Sequence, residues 1–216
     1  MPSDLDLFVA NPDHPPTLRA LASRGDVRRF RKGTILIHEG DLGDTLYILL
    51  SGRVKVYCMD DHAREITFGV FGAGEYVGEM ALDGGPRSAS VITLEPTVCA
   101  VVRRAEILAF IGQCPEFSFE MLSKMIHRLR LATRDVRNLA FIDVYGRLTR
   151  LLNELAVPMP DGRRQVAERI THQEIASRAG CSREMVSRIL KDLSQGGYLA
   201  VEDHHLMLTG KLPQRW

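Results

Sequence analysis

The feature that most constrains this chain is the stretch 115–139, in which apolar residues recur at alternating intervals of three and four. These residues are Leu122, Met125, Leu129, Ala132, Val136 and Leu139. The interval is the a/d spacing that keeps a narrow apolar seam on one side of a helix, typical of a helix packed against a second copy of itself. The same pattern also suits an amphipathic helix on the core of its own domain. A long helix is therefore predicted, and the flanking segments must decide its partner.

Short β-prone runs separated by glycine precede this helix, between residues 26 and 103. Strands are predicted at 34–38, 45–50, 54–59, 65–71, 88–93 and 97–102. Many short strands at this spacing indicate an antiparallel sandwich or barrel. Residues 1–24 are interpreted as a loose arm that leads into a short helix at 17–23, and a second short helix is predicted at 104–111.

Helical patterns dominate after the long helix. A helix at 146–156, a turn at 157–162, two helices from Thr171 onward and a β-hairpin at 198–208 are predicted. The predicted fold class is α+β, divided into an N-terminal arm and β domain at 1–113, a connecting helix at 114–139 and a helical domain at 140–216, with the boundary near 139–143.

Composition narrows the possible partners. The formal net charge is +1, so any basic surface for nucleic acid must be local. No apolar run approaches the length of a membrane span and no basic-then-apolar leader is present, so a cytoplasmic protein without a membrane partner is expected. The four cysteines are scattered and the histidines are not clustered, which argues against a metal site.

The segment GEMALDGGPRSA, residues 78–89, has the parts of an anion pocket. A helical turn that begins near Gly78 directs backbone N–H groups at one point, Arg87 offers a charged fork and Ser88 a hydroxyl. Glu79 is an acceptor, which suits a ribose hydroxyl rather than a phosphate. On composition alone, a tight turn with Arg87 paired to Glu79 is the alternative. The predicted pocket residues are Gly78, Glu79, Met80, Ala81, Arg87, Ser88 and Ala89.

A helix-turn-helix is predicted from residue 170 onward. Thr171 and Glu174 form a capping box, Gly180 makes the turn and Ser182 caps a second helix. Between Arg169 and Lys191 five basic and two acidic residues give a local charge of +3. The second helix carries Arg183, Glu184 and Arg188 near its amino-terminal end. Because arginine can pair bidentately with guanine and glutamate can accept from the cytosine amino group, this second helix suits a major groove. Thr171 and His172, at the start of the first helix, are suited to phosphate. The predicted DNA contacts are therefore Thr171, His172, Ser182, Arg183, Glu184, Arg188 and Lys191.

Taken together, residues 26–210 resemble the Crp/Fnr family of bacterial transcription regulators. The resemblance rests on the 78–89 cassette, the long helix, the link LAFIDV at 139–144 and CSRE at 181–184 before a winged end. It implies a cyclic-nucleotide-binding β-roll and a winged helix-turn-helix. Also implied are a homodimer through the long helix, half-sites like TGTGA and contacts with RNA polymerase. Glu79 would accept from the ribose 2′-hydroxyl, and Arg87 and Ser88 would hold the cyclic phosphate.

Two departures from the family's pattern bear on the ligand. The cysteine cluster of the oxygen-sensing branch is absent, and the adenine-contacting Thr-Ser pair of the cyclic-AMP branch is replaced by Ala132 and Thr133. Cyclic AMP, cyclic GMP, cyclic di-GMP and a ligand-independent state all remain open. A regulatory subunit whose β-roll gates a partner protein is the competing class. An enzyme is not expected, because no nucleophile and base have a suitable spacing.

Overall fold

The computed structural model describes residues 2–160, 162–167 and 169–213; the side chain of Ala81 lies outside the described part. The chain divides into two compact units. One comprises the residues up to Cys58 together with Thr67–Leu129, and the other comprises Met59–Ile66 and the residues from Arg130 onward. No described helix is long and apolar enough to cross a bilayer.

The first unit carries most of the strands. Its elements, with the strands and helices that continue into the second unit, are α1 (Asp4–Ala10), α2 (Pro16–Ala22), β1 (Asp26–Phe30), β2 (Ile35–Ile37), β3 (Thr45–Ser51), β4 (Val54–Met59), β5 (Glu65–Phe71), β6 (Tyr76–Val77), a 3₁₀ turn (Glu79–Asp83), β7 (Ser90–Thr93), β8 (Thr97–Arg103), α3 (Arg104–Gln113) and α4 (Glu116–Phe141). The strands form two antiparallel sheets, in the orders β1-β8-β3-β6 and β2-β7-β4-β5.

Alternation along the strands gives the first sheet two buried faces. On one face Leu46 and Ile48 of β3 pack with Phe8, Phe110 and Phe117 from the helices. On the other face Leu49 and its neighbours form a second core with residues of the opposite sheet. The β domain is therefore closed between its sheets and covered by helices on one side, and the predicted fold class is confirmed.

One prediction about the N-terminal region is wrong, and two strands were missed. Residues before the first strand are not a loose arm, because α1 begins at a capping box between Ser3 and Asp6 and buries Phe8. Strands β1 and β6 were not predicted, since β1 has a polar, largely exposed sequence and β6 has only two residues. The predicted helix at 17–23 is α2.

The second unit contains the helical pair predicted from the sequence. Its elements are α5 (Val144–Leu155), β9 (Ala156–Pro158), β10 (Arg164–Val166), α6 (His172–Ala179), α7 (Arg183–Gln195), β11 (Leu199–Glu202) and β12 (His205–Leu208). The strands form one sheet in the order β11-β12-β10-β9. The turn predicted at 157–162 is wrong in its first two residues, because Val157 and Pro158 pair with β10. Asp143 caps α5 by accepting from the Gly146 N–H at 2.7 Å.

Candidate ligand pocket and nucleic-acid interface

The anion pocket is built around the buried side chain of Arg87, which is 7% exposed. Nη1 of Arg87 donates to the Gly78 carbonyl at 2.8 Å, and Nη2 donates to Thr45 Oγ1 at 3.0 Å. A Cβ atom at Gly78 would lie 2.8 Å from Nη1, and one at Gly43 would lie 2.9 Å from Nη2. Glycine is therefore needed at both positions for the guanidinium to lie in this place.

Two backbone hydrogen bonds also fix the position of Arg87. The Arg87 N–H donates to the Asp41 carbonyl and its carbonyl accepts from the Gly40 N–H, each at 2.8 Å. Ser88 follows directly and is exposed, and its hydroxyl contacts the sulfur of Met80 at 3.2 Å. Ala89 is partly buried. The fork is thus preorganised, with Ser88 and Met80 at the surface beside it.

The charge on Arg87 has no ion-pair partner among the described residues. A buried guanidinium normally lies against a carboxylate, because an unpaired charge in a protein interior is costly. The two acceptors of its guanidinium, the Gly78 carbonyl and the Thr45 hydroxyl, are neutral. This pocket therefore favours an anion, and the fixed fork suits phosphate oxygens.

The alternative pairing of Arg87 with Glu79 is wrong. Glu79 accepts instead from Nη1 of Arg128 on α4 at 2.7 Å, and the two side chains are only 8% and 20% exposed. Arg128 also donates to the Tyr76 carbonyl at 2.8 Å and lies over the rings of Phe71 and Tyr76. The carboxylate expected to meet a ribose hydroxyl is therefore held by the long helix.

Arg128 is a site residue that sequence reasoning missed. Arg128 lies three residues after Met125 and therefore on the same side of the helix. The sequence carried no signal for this contact, because it places Met125 in the predicted seam, and only the structure shows Met125 packed against the core of the first unit. Lys124 contributes a second contact from α4, at 3.0 Å from Glu75.

The exposed apolar residues of α4 follow a register that only partly matches the predicted seam. They are Phe119, Leu122, Ile126, Leu129, Leu131, Val136, Leu139 and Phe141. Of these, 119, 122, 126 and 129 follow one another at alternating intervals of three and four, and 136 continues the row seven residues later. Met125 faces the core of its own unit, and Ile126 takes its place on the exposed side. Ala132 and Thr133 are both exposed, and Thr133 falls in this register.

The predicted helix-turn-helix is confirmed in its local geometry. Thr171 caps α6 through the predicted capping box with Glu174, Gly180 adopts a left-handed conformation with φ of 63°, and Ser182 caps α7 by accepting from the Met185 N–H. The inward residues of both helices lie in the core of the second unit, including Ile175, Val186, Ile189, Leu190 and Leu193.

The predicted DNA contacts on α7 are brought together on one exposed surface. Arg183, Glu184, Arg188 and Lys191 all lie outside the core, and Arg183 and Lys191 are two turns apart on one side. The backbone N–H of Glu184 and the Ser182 hydroxyl hold the pKa of the Glu184 carboxyl below its ordinary value. Glu184 is therefore an anionic acceptor at neutral pH, as contact with a cytosine amino group requires.

The two predicted contacts on α6 differ in availability. The Thr171 hydroxyl is engaged within its capping box, where it donates to Glu174 at 2.8 Å and accepts from the Glu174 N–H at 3.2 Å. His172 is exposed, and its Nδ1 lies 2.9 Å from the Ser187 hydroxyl on α7.

Arg147 is a second residue that was missed. It donates to the carbonyls of Ala179 at 2.9 Å and Gly180 at 3.1 Å, and also to Ile142 at 2.7 Å. The guanidinium therefore connects the turn of the helix-turn-helix to Ile142, the residue directly after α4. Arg147 lies on an amphipathic helix, and nothing in the sequence indicates that its guanidinium donates to backbone carbonyls.

Comparison with known proteins assigns both halves of the chain. The cyclic nucleotide-binding domain family matches residues 27–114, and the Crp-like helix-turn-helix domain family matches residues 146–209. The cAMP-activated global transcriptional regulator CRP of Salmonella typhimurium is 31% identical over 211 residues, covering 94% of this chain and 99% of its own. The corresponding regulator Vfr of Pseudomonas aeruginosa is 33% identical over 210 residues, covering 91% and 97%.

Solved structures agree with this assignment. The c-di-GMP responsive global regulator CLP of Xanthomonas campestris superposes with a TM-score of 0.79 at 30% identity, covering 90% of this chain and 98% of the other. A CooA mutant from Carboxydothermus hydrogenoformans, at 21% identity and a TM-score of 0.76, shows the same fold.

Proposed function

Since the chain belongs to the Crp/Fnr family of transcription regulators and is a DNA-binding regulator rather than an enzyme, we propose that it acts as a homodimer switched by a cyclic nucleotide. One nucleotide binds in each β-roll, and the two α7 helices recognise a palindrome with TGTGA-like half-sites. The observation that carries the proposal is the buried Arg87 fork, which lacks a carboxylate partner among the residues that the structure describes.

A cyclic mononucleotide fits this pocket best. The phosphate takes the remaining donors of Arg87 together with Ser88, and the ribose 2′-hydroxyl donates to Glu79, which is already oriented by Arg128. Ala132 has no hydroxyl for the base, so Thr133 is the polar contact in this part of α4. Cyclic AMP and cyclic GMP are the two candidates.

Cyclic di-GMP is the second candidate, favoured by the 30% identity to a regulator described as c-di-GMP responsive. It carries two phosphates, whereas the cassette between Gly78 and Ala89 offers one buried arginine in the described structure. A second anion contact would have to come from outside the cassette.

The homodimer rests on the exposed apolar register of α4. Leu122 is 54% exposed and Val136 is 66% exposed, although both lie on a helix whose opposite side packs on the core. A regular a/d row of this kind is typical of a helix that meets its own copy. Two copies would also supply the two-fold axis that a palindromic operator requires.

The recognition surface supports a specific DNA target. Arg183 and Arg188 suit guanine and the ionised Glu184 suits cytosine, so together they can distinguish a G·C-containing half-site. We expect RNA polymerase as a further partner and the bacterial cytoplasm as the location, because a DNA-binding regulator acts there. A subunit that gates a partner protein would have no use for this exposed set of side chains.

The deciding experiment measures fluorescence anisotropy of a labelled TGTGA palindrome. The protein is titrated without ligand and with cyclic AMP, cyclic GMP or cyclic di-GMP, and calorimetry measures the affinity for each nucleotide. We expect one cyclic mononucleotide to bind with one site per protomer and to raise operator affinity, with a scrambled duplex as control. Failure to prefer the operator under every ligand would favour the gating subunit, and binding of cyclic di-GMP alone would replace the mononucleotide.

A further inference from the structure

Met80 places an exposed sulfur atom against the hydroxyl of Ser88. It lies in the 3₁₀ turn Glu79–Asp83 and is 61% exposed. Its Sδ is 3.2 Å from Oγ of Ser88, the hydroxyl that is proposed to hold the cyclic phosphate. The chemical state of this sulfur therefore bears on a group that the nucleotide needs.

The Ser88 hydroxyl has a weak partner in this arrangement. A thioether sulfur is a weak hydrogen-bond acceptor, so the hydroxyl can leave it at little cost and donate to a phosphate oxygen, which is ionised and accepts more strongly. Oxidation of the sulfur reverses this preference, because a sulfoxide oxygen is a strong acceptor. That oxygen is bonded to the atom already in contact with Ser88, so a small rotation of the flexible Met80 side chain brings it within reach of the hydroxyl.

Exposure and protonation decide which sulfur atoms near the cassette a peroxide attacks. Of the methionines that the structure describes, only Met59 and Met80 are more than half exposed, at 54% and 61%. Cys58 is a second sulfur beside the cassette, since its Sγ donates to the Ser88 carbonyl at 3.6 Å. Burial raises the pKa of this thiol to about 11, so little of the reactive thiolate is present at neutral pH. Oxidation of a thioether needs no deprotonation, which makes Met80 the more reactive of the two neighbours of Ser88.

We propose that Met80 is a modification site at which a peroxide weakens nucleotide binding by this pocket. With hydrogen peroxide as the oxidant, the O–O bond breaks, one oxygen forms the S–O bond of the sulfoxide, and the other leaves as water with both protons. The sulfoxide oxygen then accepts from the Ser88 hydroxyl and withdraws it from the phosphate. The inference rests on the proposed nucleotide binding, and methionine sulfoxide reductases reverse such a change.

The test measures nucleotide affinity by calorimetry before and after treatment with hydrogen peroxide, using the cyclic nucleotide that binds the untreated protein. Dithiothreitol is added after the treatment to reduce any oxidised cysteine, and peptide mass spectrometry reports the oxidation of Met59 and Met80. The wild type should lose affinity roughly ten- to hundredfold, the usual value of one hydrogen bond to a charged group. Incubation with methionine sulfoxide reductases should restore the affinity.

Four variants connect this loss to one pair of side chains. Met80→Leu should keep its own starting affinity after peroxide, because it has no sulfur. Met59→Leu is the matched control: it removes the other exposed methionine and should lose affinity as the wild type does. Met80→Gln carries an amide oxygen as an acceptor and should bind more weakly than Met80→Leu without any oxidant. Ser88→Ala should lose little further affinity on oxidation, because the hydroxyl that the sulfoxide would capture is absent.

Each contrary result has a separate meaning. Unchanged affinity of a protein whose Met80 is oxidised would overturn the inference and leave the proposed nucleotide binding intact. The same holds if Met80→Leu loses as much affinity as the wild type, if Ser88→Ala loses the full factor, or if mass spectrometry finds Met59 oxidised and Met80 not. If the untreated wild type binds no cyclic nucleotide, the proposed function is wrong and the inference fails with it.

Discussion

The Arg128 guanidinium donates to Glu79 Oε1 at 2.7 Å, so the long helix holds the carboxylate that a ribose is proposed to meet. Glu79 is 8% exposed and has this arginine as its ion-pair partner, while Arg128 is also 3.4 Å from Glu75. A ligand hydroxyl that donates to Glu79 must share the carboxylate with Arg128. In the proposed complex, ligand binding and the position of α4 would therefore be linked through the Glu79 side chain.

Loss of Arg128 should destabilise the protein more than loss of its neighbour Lys124. Arg128→Ala leaves the Glu79 carboxylate buried without its cation, which costs about 3 kcal/mol of unfolding free energy for a buried pair. Lys124→Ala removes a pair whose side chains are 30% and 38% exposed, and such pairs contribute about 0–1 kcal/mol. Urea unfolding of both variants checks this difference. Equal losses would show that the two pairs are equivalent.

The Arg87 fork should be essential for nucleotide binding. Arg87→Ala should abolish binding of cyclic AMP and cyclic GMP in calorimetry, and Arg87→Lys should lose most of it, because an ammonium cannot reproduce the planar fork. Arg31→Ala, a change at an exposed arginine of the same unit, is the control and should bind normally. Unchanged affinity of Arg87→Ala would remove the phosphate from this pocket.

Local signals explain which parts of this protein were predictable. The capping box at Thr171, the turn at Gly180 and the cap at Ser182 each involve residues within a few positions, so the helix-turn-helix was predicted almost residue by residue. The cassette at 78–89 was predicted for the same reason, because its residues are close together in the sequence. Both sites depend on side chains whose chemistry is visible in a short segment.

The missed features depend on contacts distant in sequence. Strand β1 forms because its backbone pairs with β8, and nothing in DVRRF alternates like a half-buried strand. Arg128 meets Glu79 across 49 positions. The predicted seam included Met125 because two registers with the same spacing run side by side along α4, and only the packing of the β domain decides which of Met125 and Ile126 is covered.

A charge in the exposed register of α4 should separate the proposed dimer. Val136→Asp or Leu122→Asp should yield monomers in size-exclusion chromatography with light scattering, because a carboxylate cannot be buried unpaired in a helix seam. Operator affinity should fall together with the dimer. The control is Leu108→Asp, which places the same charge at a leucine of α3 that is also about half exposed. A Val136→Asp protein that remains dimeric would place the interface elsewhere.

Cys58 should react with alkylating reagents in an unusual pH range. Burial, with a smaller contribution from Glu39, raises the pKa of the Cys58 thiol to about 11. Its thiolate fraction should therefore still rise about tenfold between pH 8 and 9, whereas an ordinary thiol with a pKa near 8.5 gains only about threefold. Iodoacetamide labelling followed by peptide mass spectrometry measures the alkylation rate of Cys58 at pH 8 and at pH 9. A plateau above pH 9 would contradict the raised pKa.

Base recognition and backbone contact should be separable on α7. Arg183→Ala should cost about 1–3 kcal/mol on the operator and relax the preference at one base pair, because a bidentate contact to guanine is lost. Lys191→Ala, two turns further along the same side, should instead weaken binding uniformly on all sequences and reduce the salt slope by about one. Anisotropy on a panel of single-base operator variants at several salt concentrations measures both effects. A uniform loss for Arg183→Ala would assign that arginine to phosphate, and recognition would then fall to Glu184 and Arg188.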